Sequence, residues 1–125
     1  MVDYGKDHGY LTTHVLDTAR GCPASGIKIE LFTISAKYDF VKISDGETNE
    51  DGRLLKPILS GNDFREGKYQ IIFYVKAYLK FHFNQLNESL FLEEIPLRFR
   101  ICKPKEHYHV PLLLSPFGYS TYRGS

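Results

Sequence analysis

The chain has 125 residues, 42% of them hydrophobic and 25% charged, with a formal net charge of +1. That is the profile of one ordinary globular domain, long enough to bury a real core. Lys and Arg are dispersed among acids, so no basic run is offered to nucleic acid or to an anionic membrane.

Taken in chain order, residues 1–10 read as a flexible tail, polar and without the apolar core of a signal segment. Leu11–Leu16 reads as a first strand, with Thr12, His14 and Leu16 on one face and Leu11, Thr13 and Val15 on the other. Residues 17–25, containing Arg20-Gly-Cys-Pro23, are a loop. Ile27–Ile34 alternates almost cleanly and is a half-buried strand. Phe40–Ser44 is a shorter strand, with Asp45-Gly46 predicting a hairpin turn and Glu47–Asn49 the return strand. A second Asp-Gly turn, Asp51-Gly52, precedes Arg53. Residues 60–67 are a loop, and Lys68–Val75 a strand. Ala77–Asn84 fits a helical face and an alternating one; a short helix is expected there. Ile95–Ile101 is a strand that Pro96 confines to a strand start or an edge. Two C-terminal strands follow, Tyr108–Leu114 and Phe117–Thr121. Seven or eight short strands separated by turns predict an all-β antiparallel sandwich.

The C-terminal strand is apolar on both faces. Tyr108, Val110, Leu112 and Leu114 take one, and His107, His109, Pro111 and Leu113 the other. Covering one face with the domain's own core leaves the other to a second copy of the chain. No run approaches the ~20 apolar residues that span a bilayer. Cys22 and Cys102 are too few for a disulfide framework; reduced, buried thiols are expected, with the cytoplasm as compartment. No phosphate-cradling glycine loop and no nucleophile elbow occurs. His107-x-His109 is a spacing that could bind a metal, but a metal needs three or four ligands, and His8, His14 and His82 complete no recognisable set. By pattern alone, a strand histidine is more often an interface residue than a catalytic one, Arg53 a solvated loop cation, and Tyr122–Ser125 a frayed tail.

Three segments carry more than pattern: Leu-Thr-Thr-His-Val-Leu-Asp-Thr-Ala-Arg-Gly-Cys-Pro-Ala over 11–24, Thr-Asn-Glu-Asp-Gly-Arg over 48–53, and the closing residues 107–125 with their terminal Tyr-Arg-Gly-Ser. Together they resemble the 5-hydroxyisourate hydrolases, the transthyretin-related proteins of purine catabolism, from Leu11 to the last residue. The terminal Tyr-Arg-Gly-Ser is the most specific mark, since it separates these hydrolases from transthyretin. The resemblance implies a transthyretin-like fold over residues 11–125, with two four-stranded sheets face to face and one short helix. It also implies a homotetramer built as a dimer of dimers, with sites in the channel between dimers.

The activity so implied is hydrolysis of 5-hydroxyisourate to 2-oxo-4-hydroxy-4-carboxy-5-ureidoimidazoline in urate degradation, without metal or other cofactor. Matched motif by motif, the implied catalytic residues are His14, Arg53 and His109. Substrate contacts are implied for His14, Arg53, Tyr122, Arg123 and Ser125. The chemistry suits the residue types. A neutral imidazole can activate water near neutral pH, and a guanidinium can hold the charge that develops on an attacked carbonyl. A carrier of small molecules built on the same fold is the rival reading. Against it, Tyr122 and the histidines would make the channel shallow and polar.

Overall fold

A computed structural model describes residues 8–124. In chain order the elements are β1 (Tyr10–Asp17), β2 (Cys22–Pro23), β3 (Lys28–Ile34), β4 (Phe40–Glu47), β5 (Leu59–Ser60), β6 (Gly67–Tyr74), α1 (Lys76–Phe83), β7 (Glu94–Ile101), β8 (His107–Ser115) and β9 (Gly118–Thr121). The strands form two sheets. One runs β2-β1-β8-β9, with β5 added to β1, and the other runs β4-β3-β6-β7. The expected sandwich is present, with the short helix following β6. One pairing departs from antiparallel: β1 and β8 lie parallel, from Tyr10↔His107 to Asp17↔Leu114. A parallel pair cannot be closed by a hairpin, and nearly the whole chain lies between these two strands.

Alternation explains the core. Leu11 and Val15 of β1, with Val110, Leu112 and Leu114 of β8, turn inward to meet Ile29, Leu31, Ile71 and Phe73 of the facing sheet. The opposite faces of β1 and β8 are part-buried, except at Pro111, which is buried. β7 is an edge strand, a place that tolerates Pro96, which has no N–H to donate. α1 buries Tyr78 and Leu79 and stops at Asn84, whose φ of 52° is a left-handed cap. The Tyr78 hydroxyl donates to Oδ2 of the buried Asp17 at 2.6 Å, while Oδ1 accepts from the N–H groups of Ala19 and Arg20. This ties the helix to the end of β1. Burial, then the bond to Asp17, pushes the Tyr78 phenol up to about 12.

Three expectations need correction. Asp45-Gly46 is not a turn, because β4 continues through Glu47 and pairs with β3 from Phe40 to Glu47, with one irregularity at Ile43 and with Ile29 opposite Gly46. An extended ladder with β3 outweighs a local turn preference, and Gly46 is small because Leu54 packs on it. The turn into β4 lies instead at residues 35–39, where Ser35 Oγ accepts from the backbone of Lys37 and Asp39. The second correction concerns β2 and β5, two residues each and too short for periodicity to reveal. Thirdly, both cysteines are free but neither is buried, since Cys102 lies on the loop after β7.

The expected tail over residues 1–10 lies mostly outside the described residues. Within them, Gly9 is buried and its N–H donates to Pro104 at 2.6 Å, and Tyr10 already belongs to β1. No helix among the described residues is long and apolar enough to cross a membrane.

Candidate active site

The parallel register decides which side chains meet. Thr12 lies opposite His109 and His14 opposite Pro111, so the outer faces of β1 and β8 bring Thr12, His14, His107 and His109 into one patch. Thr12 Oγ1 sits 2.6 Å from Nε2 of His107 and 2.8 Å from Nδ1 of His109. The His107 ring also stacks on Tyr10, with centroids 4.2 Å apart and planes at 11°. Two residues of β8 thereby acquire fixed rings.

Arg53 arrives from a loop built on polar side chains. Thr48, almost fully buried, donates through Oγ1 to Ala24 O at 2.8 Å and accepts from Ile27 N at 2.9 Å. Asn49 Oδ1 accepts from the N–H groups of Asp51 and Arg53, and Asn49 O from Gly52 N, which makes Asp51-Gly52 the turn its sequence predicts. Val15 N donates to Gly52 O at 2.9 Å, and a backbone bridge joins His14 to Arg53. Gly52 has φ +73°, and a Cβ there would lie 2.5 Å from Val15 O and 3.1 Å from the His14 ring. Only glycine allows the loop to press this closely on His14.

The C-terminal tail does the same to the second imidazole. Gly124 N donates to His109 O at 2.7 Å, and a Cβ on Gly124 would stand 2.7 Å from Cδ2 of His109. His14 and His109 are therefore each pinned from the side by a glycine.

The electrostatics follow from burial beside a cation. Desolvation first, then the Arg53 guanidinium, pulls the His14 imidazole below its ordinary value, opposed by a hydrogen bond to the Asp51 backbone. Desolvation, then Arg53, His107 and His14, pulls His109 down. His107 is lowered by desolvation and then by Arg123. All three imidazoles are thus neutral at pH 7, the state in which a ring nitrogen can accept a proton from water.

The structure gathers His14, Arg53 and His109, but it places the tail side chains elsewhere. Arg123 donates to Glu106 Oε1 at 3.1 Å and to His107 O at 3.2 Å, and lies 4.0 Å over the Tyr108 ring. It holds the tail against β8, and within the imidazole patch its charge bears only on His107. Tyr122 is exposed and borders a cavity of about 220 Å³ between β7 and β8, together with Leu97, Phe99 and Arg123. Ser125 lies outside the described residues. Pattern alone missed the bridging role of Thr12, although its place on the His14 face was legible. A larger cleft of about 810 Å³ runs beside α1, lined by Lys28, Tyr74, Lys76, Lys80 and Gln85 among others. It holds no imidazole, and its Lys76 is already paired with Glu93 at 3.3 Å, so its size does not make it the reaction site. Among the described residues, no group of three or more His, Cys, Asp or Glu side chains is placed to hold a metal ion.

The profile of the HIUase/Transthyretin family matches residues 11–124. The chain belongs to that family. A 5-hydroxyisourate hydrolase of Pseudomonas aeruginosa is 51% identical over 117 residues, covering 94% of this chain and 92% of the relative. Among solved structures, an (S)-allantoin synthase superposes with a TM-score of 0.87 at 43% identity; the match covers 99% of this chain but 46% of that longer one. Sea bream transthyretin in complex with thyroxine gives a TM-score of 0.80 at 27% identity, covering 91% and 93% of the two chains. Within the family, then, hydrolase and transthyretin share one fold, and side chains on that fold must tell them apart.

Proposed function

We propose that this chain hydrolyses 5-hydroxyisourate, opening an amide bond of its six-membered ring to give 2-oxo-4-hydroxy-4-carboxy-5-ureidoimidazoline. The observation that carries the reading is the convergence of two imidazoles, His14 and His109, beside Arg53, which is bridged to His14 through the backbone and helps to lower both rings. The 51% identity to a named hydrolase supports it. His109 takes a proton from water as the oxygen attacks the carbonyl carbon. Arg53 stabilises the negative charge that builds on the carbonyl oxygen. The proton then passes to the departing ring nitrogen, and His14 holds the substrate by hydrogen bonds. Tyr122 and Ser125 contact substrate from the tail, and Arg123 anchors that tail. The reaction uses no metal and no other cofactor.

The working form is a homotetramer, a dimer of dimers. The outer face of β8 supports this, because Leu113 lies there only part-buried beside the imidazoles. The compartment is the cytoplasm. The deciding assay generates 5-hydroxyisourate in place with urate oxidase and follows its ultraviolet absorbance with and without the protein. Unchanged decay would end the hydrolase reading. The carrier reading rests on the likeness to a thyroxine-bound transthyretin, and thyroxine binding without any acceleration of that decay would favour it.

A further inference from the structure

A hydroxyl has one proton to donate, and Thr12 holds its own between two ring nitrogens, at 2.6 Å from Nε2 of His107 and 2.8 Å from Nδ1 of His109. Two bare nitrogens could not both be served by that proton, and one close approach would set lone pair against lone pair. Two protonated nitrogens would leave the hydroxyl proton without an acceptor, since no third group bonds Thr12 Oγ1 among the described residues. Both contacts are hydrogen bonds and the hydroxyl proton also has an acceptor only when one ring donates to Oγ1 and the other accepts from it. The two histidines are thus bound to complementary tautomers through one oxygen.

We propose that Thr12, anchored by His107, is a positioning residue that holds the His109 proton on Nδ1 and so leaves Nε2 bare as the base. The inference rests on the hydrolase reading of the site and adds the device that sets its base. Which ring donates is decided by what lies on the far side of each. His109 has Nδ1 committed to Thr12, and no described group bonds its Nε2. The charges acting on His109 are Arg53 from the loop, His107 on its own strand and His14 on β1. A lone pair suits that cationic side better than an N–H. His107 has Arg123 near it, but that charge is offset by Glu106 at 3.1 Å, whereas no described carboxylate pairs with Arg53; the ring is also stacked on Tyr10, which keeps its Nε2 aimed at Thr12. A second hydrogen bond that selects a tautomer is the same device that orients metal-bound histidines.

Three variants of the full chain separate the hydroxyl from packing. Thr12→Val keeps the shape and removes the hydroxyl; Thr12→Ser restores it. His107→Phe keeps an aromatic ring beside Tyr10 and removes Nε2. Thr12→Val should lower kcat roughly tenfold with little change in KM or Tm, as loss of an orienting partner does. Thr12→Ser should recover most of that loss, and His107→Phe should fall between. Side-chain ¹⁵N NMR at pH 8 should show His109 protonated at Nδ1 in the wild type and shifted toward Nε2 in Thr12→Val. A wild-type His109 carrying its proton on Nε2, or a Thr12→Val protein with full kcat, would overturn the proposal. The NMR result needs no substrate, so it stands or falls even if 5-hydroxyisourate is not hydrolysed. If Thr12→Val did not fold, the wild-type spectrum and His107→Phe would still decide.

Discussion

The two sheets present outer faces of very different electrostatic character. On the β4-β3-β6-β7 sheet, the Tyr74 hydroxyl donates to Glu30, Lys42 bridges Glu30 at 3.0 Å and Asp45 at 2.7 Å, and every charge in the cluster has its opposite beside it. The bond from Tyr74, then that from Lys42, lowers the Glu30 carboxyl, and the same bond to Glu30 pushes the Tyr74 phenol up to about 12. The outer face of β1 and β8 has no such balance. Two imidazoles, His107 and His109, share one hydroxyl near Arg53 and a third, His14, and the Asp51 charge is the weakest of the named influences on His14. A face whose charges are mutually satisfied has nothing left to offer a substrate. A face of neutral bases beside a cation with no ion pair among the described residues retains that capacity, at some cost in stability, and perturbed titration clusters at such places.

The largest effects should come from breaking the imidazole face. His14→Asn and His109→Asn should each reduce kcat by about 10²-fold or more, the usual loss of a positioned acid–base group, with Tm nearly unchanged. Arg53→Lys should harm activity nearly as much as Arg53→Ala, because an ammonium cannot reproduce a planar two-pronged contact. Wild-type turnover in both Asn variants would reduce the patch to interface packing.

Next come changes to the clamps. Removing residues 122–125 should leave the fold intact and abolish most activity, since the tail ends on β8 and contributes nothing to the core. Gly124→Ala is the finer version: its methyl would collide with the His109 ring, so kcat should drop by about tenfold, in line with a displaced catalytic group. Near-full turnover in the truncated protein would show that the tail is not part of the site.

The pH profile is subtler. Folded-state values for His14 and His109 lie below 6.5, so activity should persist as pH falls through 6.5 and be lost at a lower midpoint. Stability follows the same sign. The unfolded chain takes up these protons first, near ~6.5, so the stabilising contribution of neutral imidazoles declines from there toward the folded values. A rate profile with its midpoint at or above 6.5 would contradict the burial and Arg53 effects. The smallest change belongs to the balanced face: Tyr74→Phe removes one hydrogen bond to Glu30, and should cost about 0.5–1.5 kcal/mol in denaturant unfolding without altering kcat.

How far the sequence could be read depended on the range of each signal. Alternation in Leu11–Leu16 and Tyr108–Leu114 sorted core from outer face correctly, because a strand's side chains obey a local period of two. Asp51-Gly52 is a real turn and Asp45-Gly46 is not, although the two dipeptides look alike. The difference is the β3 ladder, and a partner strand is invisible to a local turn preference. Arg123 shows the same limit, because the Tyr-Arg-Gly-Ser motif gives no sign that its guanidinium bonds Glu106 and lies over the Tyr108 ring.

By itself, then, the sequence determined the class of fold, the inward faces of the strands and the family, since these depend on residue type, short-range period and motif. Only the tertiary structure decided that β1 and β8, about a hundred residues apart, lie parallel in a register that sets Thr12 between His107 and His109. It alone decided that two glycines press on the two imidazoles and that Arg53 faces both. Strand pairing across that separation is chosen by burial of the whole core, to which no single segment holds the key.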